Sequence, residues 1–460
     1  MDDALTGEVV EHLRALLRLD TTNPPGNETP AAEYLARVLR DAGIAAQVIE
    51  STPGRGNVIA RLSASAPTDE AEAKAEPALL LHAHLDVVPA READGWTHGP
   101  FAGDVADGCV WGRGALDHKG TVAMLLGAML DLRRSGRPLR RDVIFAATAD
   151  EEAGGFAGAG WLVEHRPEMI DAGYCLGEGG GYNVYVGGKR FYPCSIAEKG
   201  FCRVRVRARG PAGHGAVPTS ENAILVLAAA LQRLSRPLPQ HRVEAVERFV
   251  RGLAGLAGGA RGAALTELTR PRGGRLLALA AERGGPEVRA LARQLMPLLR
   301  NTVSPTIVAG GVKDNVIPAE ASATLDGRFL PGQTPEMFVR ELRGALGRRL
   351  ARNIEIEIDH VGPAVEMQWD SPLADALVSV MARHDPGAPV LPFMLGAVTD
   401  AKHLVKLPSL RHYYGFNPLR TAREFPLLDQ LHAVDERVPV EALGFGARAM
   451  ADVLRDFCAA

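Results

Sequence analysis

Cysteine is scarce in this sequence, charge of the two signs is nearly balanced, and no apolar run is long. Five cysteines (Cys109, Cys175, Cys194, Cys202 and Cys458) are scattered over 460 residues, and no C-x-x-C pair occurs. An odd, dispersed set argues against a disulfide framework and a thiolate zinc site, and fits a reducing compartment. The formal net charge is only −3. No strong field is available to hold nucleic acid or an anionic membrane, so neither is an expected partner. The most apolar stretch, Ile224 to Leu231, is far too short to span a bilayer. The opening residues Met1-Asp2-Asp3 are acidic and lack the basic and apolar regions of a signal peptide. These features set the expectation of a cytoplasmic protein.

What is present is ordinary for a soluble chain: 46% apolar and 23% charged residues. The length exceeds one compact core, so two domains or one large insertion are expected. Leu5, Val9, Leu13, Leu16 and Leu17 predict a helix over 5–18, and a second helix fits 30–41. Short β-like runs follow at 46–50, 57–62 and 78–84, with a solvated loop from Ser63 to Pro77. A long apolar helix fits 119–133, and strands fit 142–147 and 172–177. This alternation predicts an α/β sheet with helices on both faces.

The pattern changes near Glu198. Residues 201–209 alternate strictly between apolar residues and arginine, which predicts a half-exposed strand. A helix (221–234), strands (304–310 and 321–329), a helix (335–348) and a strand (354–360) follow, with extra helices expected over 236–300. The expected organisation is a catalytic α/β domain (1–197 and 362–460) interrupted by a smaller α+β lid (198–361).

Four segments carry acid or imidazole where predicted strands end or a helix begins, and a fifth lies close to the C-terminus. His82-Ala83-His84-Leu85-Asp86 continues a strand, and residues two apart in an extended chain share a side. His84 and Asp86 can therefore face one site, with ligand types that suit zinc. Asp117 sits among glycines just before the helix at 119. Asp150-Glu151-Glu152 follows the strand ending near Thr148, and adjacent carboxylates, if buried, need cationic partners. Glu178 stands in Gly177-Glu178-Gly179-Gly180, and His432 in Leu431-His432-Ala433-Val434-Asp435-Glu436. Each segment alone has a commoner meaning: a capped histidine, an N-cap aspartate, an acidic turn, a surface histidine. Their conjunction carries the argument.

In order and spacing these segments resemble the dinuclear zinc metallopeptidases that include aminoacylase, acetylornithine deacetylase, succinyl-diaminopimelate desuccinylase, carboxypeptidase G and carboxypeptidase S. The resemblance covers nearly the whole chain, including the place of the inserted lid. It implies a zinc-peptidase-like mixed sheet and two divalent metal ions, zinc first, with cobalt or manganese also suited to the donors. Carried over residue by residue, His84, Asp117 and Glu178 would bind one metal. Asp117, Glu152 and His432 would bind the other, with Asp117 bridging. Asp86 would hold the His84 ring from behind. Glu151 would be the general base toward a water shared by the metals. A cis peptide at Asp117–His118 is also implied.

The resemblance extends to the lid. His214, in Gly213-His214-Gly215, would stabilise the oxyanion, from the same chain or a partner subunit in a homodimer formed through the lid. Asn315 and Arg328 would bind substrate, Arg328 gripping a carboxylate bidentately. The rival view is a structural Arg328 paired with Asp326. Gly415, in Tyr414-Gly415-Phe416, would bind substrate through its backbone. Lys402 stands where the family usually has arginine, and Ala397 where it has glycine, which puts the contacts to the substrate's tail in question. The expected activity is hydrolysis of an amide or peptide bond in a small substrate with a free carboxylate, a dipeptide or an N-acyl amino acid. The alternatives are a desuccinylase or deacetylase of amino-acid biosynthesis, an inactive binder of the same fold, and a phosphoesterase built on a similar metal pair.

Overall fold

The computed structural model describes residues 4–65, 76–268, 270, 273–283 and 286–460. The acidic opening Met1-Asp2-Asp3 and most of the loop expected over 63–77 lie outside the described residues. The chain forms two compact units: Met1–Ile196 with Met367–Pro392 and Thr399–Ala460, and Ala197–Glu366 with Phe393–Val398.

The first unit is built on a mixed sheet. Its strands run in the order Ala45–Glu50, Gly56–Leu62, Arg141–Thr148, Glu76–His84, Tyr174–Gly177, His412–Gly415 and Lys189–Glu198. The four from Arg141–Thr148 to His412–Gly415 are parallel, and antiparallel neighbours flank them. Central parallel strands are covered on both faces, so they read as continuous apolar runs. Arg141–Thr148 is accordingly buried along almost its whole length. Parallel pairing also aligns the strand ends. His84 lies opposite Thr148, and Gly415 opposite Gly177, so the segments after these strands open at one edge of the sheet.

The helices Ala4–Leu17, Lys119–Ser135 and Val440–Cys458 pack against one another beside this sheet. Lys119–Ser135 is buried on nearly all sides, which its apolar sequence required. Gly127 lets it approach Ala4–Leu17 closely, since a Cβ there would lie 2.5 Å from Val9 Cγ2.

The second unit holds an antiparallel sheet in the order Thr302–Gly310, Glu320–Phe329, Gly200–Arg209, Ile354–Gly362. Val204, Val206, Leu325, Leu227, Phe338 and Leu342 join its buried face to the helices Ala223–Leu234 and Pro335–Ala351. The alternating arginines occupy the other face. Arg203, Arg205, Arg207 and Arg209 pair with Asp359, Glu320, Glu355 and Glu357. The extra helices include Glu244–Ala257 and Gly259–Glu267. Phe393–Val398, which the sequence reading kept with the last segment, groups with this unit. No helix of the described residues is long and apolar enough to cross a membrane.

Candidate metal centre

The aligned strand ends of the first unit bring the expected groups together. His84 ends its strand, Glu178 follows Tyr174–Gly177, and Glu152 lies in the short turn Glu151–Ala153 beyond Arg141–Thr148. Asp117 precedes the helix Lys119–Ser135, and the Asp117–His118 peptide is cis, as the resemblance implied. His84 Nε2 is 3.0 Å from Asp117 Oδ1 and 3.9 Å from Glu178 Oε2. His432 Nε2 is 3.2 Å from both Asp117 Oδ2 and Glu152 Oε1. Asp117 thus stands between the two imidazoles, one on each of its oxygens.

Buried hydrogen bonds hold this arrangement from behind. The His84 Nδ1–H donates to the Asp86 backbone carbonyl at 3.0 Å, while the Asp86 carboxylate stands off at 3.5 Å. The expected hold of Asp86 on the ring is therefore made mainly by its backbone. Its carboxylate instead accepts the backbone N–H of Glu151 (3.0 Å) and of Glu152 (3.1 Å), and the Asn23 amide at 2.8 Å. One aspartate thereby fixes both the imidazole and the turn that carries the two glutamates.

Asp150 begins that turn in the left-handed region, with φ 75°. Such a backbone persists in a non-glycine residue only where its surroundings enforce it. Its side chain takes hydrogen bonds from Arg55 (2.9 Å), Asn23 (3.2 Å) and the Ala157 backbone (2.9 Å). Glu436 does the same for the Asp117 loop. Its buried carboxylate accepts the backbone N–H of Gly114, Leu116 and Asp117 at 2.8 to 3.1 Å, and pairs with Arg113. Arg113 also donates to the His432 carbonyl at 3.1 Å, tying the two loops together.

The electrostatics fit a cation at this place. Burial by itself would raise the Asp117 carboxyl, but hydrogen bonds from His432 and His84 outweigh it and hold Asp117 well below the usual carboxylate range. Hydrogen bonds to Asp117 and Glu152 raise His432 to about 10. Glu152 Oε1 is buried and, apart from His432 at 3.2 Å, has no hydrogen-bond partner among the described residues. Two constellations, His84–Asp117–Glu152 and His84–His118–Glu178, each set three ligand atoms within 4.8 Å of one another. Imidazoles and carboxylates with no thiolate among them suit zinc and neighbouring divalent ions. The residues present fit the metals that the resemblance implies.

His118 was given no role by the sequence reading. It is buried, its ring stacks on His84 at 5.1 Å, and its Nε2 lies 3.0 Å from the Asn417 amide. Its place directly after Asp117 was the available signal. Glu151 lies beside the centre, and burial raises its carboxyl to about 8. Gly415 ends its strand against Glu178, whose carbonyl a Cβ at 415 would strike.

His214, Asn315 and Arg328 belong to the second unit. His214 is exposed in the two-residue strand Gly213–His214, and its Nδ1 accepts the Ala216 N–H at 3.1 Å. Asn315 lies just before the strand Val316–Ile317, which pairs with Gly213–His214. Arg328 Nε pairs with Asp326 at 3.0 Å, as the rival view expected, while its terminal nitrogens make no hydrogen bond among the described residues.

Known proteins resemble this chain over most of its length. A protein of Dictyostelium discoideum named "Probable carboxypeptidase S-like 2" is 30% identical over 79% of this chain and 68% of its own. The N-fatty-acyl-amino acid synthase/hydrolase PM20D1 of Xenopus tropicalis is 27% identical over 95% of this chain and 83% of its own. A succinyl-diaminopimelate desuccinylase of Methylorubrum populi is 27% identical over 93% of each. Among solved structures, the M20 family metallo-carboxypeptidase Sso-CP2 of Sulfolobus solfataricus shares the fold, with a TM-score of 0.70, 19% identity and coverage of 98% of this chain and 99% of that one. The Bacillus subtilis YXEP protein, titled a dinuclear metal binding peptidase, aligns with a TM-score of 0.60, 15% identity and 98% coverage of both chains. A profile described as "Peptidase family M20/M25/M40" matches residues 80–456, and the chain belongs to that family of metallopeptidases and amidohydrolases.

Proposed function

We propose that this enzyme hydrolyses the amide bond of small substrates bearing a free carboxylate, dipeptides or N-acyl amino acids, with two zinc ions held by His84, Asp117, Glu178, Glu152 and His432. The observation that carries the reading is Asp117 set between His84 and His432 at 3.0 and 3.2 Å, with Glu152 and Glu178 beside them. The names of the carboxypeptidase and N-fatty-acyl-amino acid hydrolase relatives support the substrate class. When bound, the metal pair supplies an acidified water and an electrophile for the scissile carbonyl.

The chain's own residues do the rest. Glu151 takes the proton that the attacking water loses and delivers it to the leaving nitrogen as the C–N bond breaks. Its burial favours the second task, because a carboxyl raised by desolvation holds a proton more readily until the leaving nitrogen takes it. Asp86 keeps Glu151 and Glu152, adjacent in sequence, in separate roles through their backbones. Arg328 keeps terminal donors for a carboxylate, and His214 is the proposed oxyanion partner. Five free, buried cysteines fit a reducing, cytoplasmic setting.

A second reading, a desuccinylase or deacetylase, is favoured by the relative of that name matched over 93% of both chains. A panel of N-acyl amino acids, dipeptides, their amidated analogues and N-succinyl diamino acids, assayed with added zinc, decides between them. Glu151→Ala should lower turnover by about 10²- to 10⁴-fold with zinc content unchanged. Loss of zinc in that variant would reassign Glu151, and inactivity of the wild type on every amide would overturn the reading.

A further inference from the structure

Lys402 is buried, at 4% exposure, in the short helix Ala401–Leu404 of the first unit. Its Nζ donates to the Thr399 carbonyl at 3.1 Å. The same nitrogen lies 3.7 Å from Glu151 Oε1 and 3.9 Å from Asp400 Oδ1. Among the described residues it is the cation paired with Glu151. Asp400 is itself buried, and its Oδ1 accepts no hydrogen bond among the described residues. Its other oxygen accepts from Thr148 Oγ1 at 3.3 Å and lies 3.5 Å from His82 Nε2. One ammonium thus stands between the buried Asp400 and the partly buried Glu151, carboxylates that are disfavoured there without a counter-charge.

This placement gives Lys402 work other than contact with the substrate's tail. A lysine is a compact point charge on a flexible stem, able to sit between two acids, where a planar guanidinium would engage one of them edge-on. Thr399 and Asp400 restrain the ammonium from behind, leaving Glu151 as the partner on the metal side. We propose that Lys402 is a positioning residue for Glu151, holding its carboxylate in the orientation from which it exchanges a proton with water and leaving nitrogen. Lys402 forms and breaks no bond in the reaction. The inference rests on the reading of Glu151 as general base.

Two measurements on the full chain test it. In the zinc-loaded protein, Lys402→Met should lower kcat roughly 10- to 100-fold, as misplacement of a catalytic group does, with KM within about threefold. Zinc content should match the wild type, and Lys402→Arg should recover the loss only in part, because its guanidinium engages one acid rather than both. In the metal-free protein, a double-mutant cycle of Lys402→Met and Glu151→Gln should show coupling of at least about tenfold in the folding equilibrium constant. If Lys402→Met does not fold, Lys402→Gln serves in both. The second measurement needs no substrate. Its success beside an inactive wild type would sink the hydrolase reading alone. Additive stabilities, or equal effects on kcat and KM in an active enzyme, would overturn the role of Lys402.

Discussion

At the scale of single residues, the centre depends on side chains that serve two neighbours at once. Asp86 is the clearest case, since its carbonyl orients His84 while its carboxylate carries the Glu151–Glu152 turn and Asn23. Asp86→Ala removes the acceptor of the Glu151 and Glu152 backbone N–H groups and leaves the Asn23 amide with Asp150 alone, and should destabilise the protein by about 2–4 kcal/mol in urea melts. Zinc affinity, read by competition with a chromophoric chelator, should fall about 10- to 100-fold. Unchanged affinity would show that the turn holds itself. Away from that centre, Lys199 is buried on the first residues of the second unit, and its ammonium donates to the Arg300 carbonyl at 2.8 Å and to Thr302 Oγ1 at 3.3 Å. Burial, with Arg328 and Arg300 nearby, lowers it to about 7. An unfolded lysine keeps its proton to about 10.4, so between these values the unfolded chain binds more protons and stability rises with pH. Below pH 7 both states hold the proton and the term is constant. Measured against Lys199→Met, the wild type should gain at least about 1 kcal/mol from pH 7 to pH 9. A flat difference would mean that Lys199 stays charged.

At the scale of elements, the helices and the strand ends were legible and the supports between them were not. The helix expected over 119–133 is Lys119–Ser135, and the alternating 201–209 is the strand Gly200–Arg209. Both follow from periodicity, which is a local property. The closeness of Lys119–Ser135 to Ala4–Leu17 is not local, because it turns on which residue faces Gly127. Gly127→Ala should gain up to about 1 kcal/mol of helix propensity and lose about 1–3 kcal/mol in the collision with Val9. A net loss is expected in denaturant melts, and Val9→Ala should then be less harmful in the Gly127→Ala background than alone. Strict additivity would show that the helices simply move apart.

For the whole molecule, the two units divide the expected functions. The first unit holds the candidate ligands, and the second holds an exposed sheet edge. That edge is Thr302–Gly310, where Ile307 and Val308 are 62% and 63% exposed. Ile224 and Leu225, on the helix Ala223–Leu234, are exposed as well. An unprotected apolar edge strand is a template for pairing with another chain. The proposed homodimer through the second unit would use it. Val308→Lys should then shift sedimentation from dimer to monomer without changing zinc content. A wild type that sediments as a monomer at all concentrations would remove the proposal.

The sequence alone determined the kinds of donor and their order along the chain, because ligand chemistry and strand and helix periodicity are written in residue types at short range. His84, Asp117, Glu152, Glu178 and His432 stood out for that reason, and the family resemblance is what proposes them as ligands. Only the tertiary structure decided what stands behind them. Lys402 meets Glu151, Glu436 takes the backbone of the Asp117 loop, and His118 stacks on His84. Two of these three contacts join residues hundreds of positions apart, and the third depends on how the backbone turns at Asp117. No local pattern encodes such pairings, which arise when parallel strands bring the segments beyond them to one edge of a sheet.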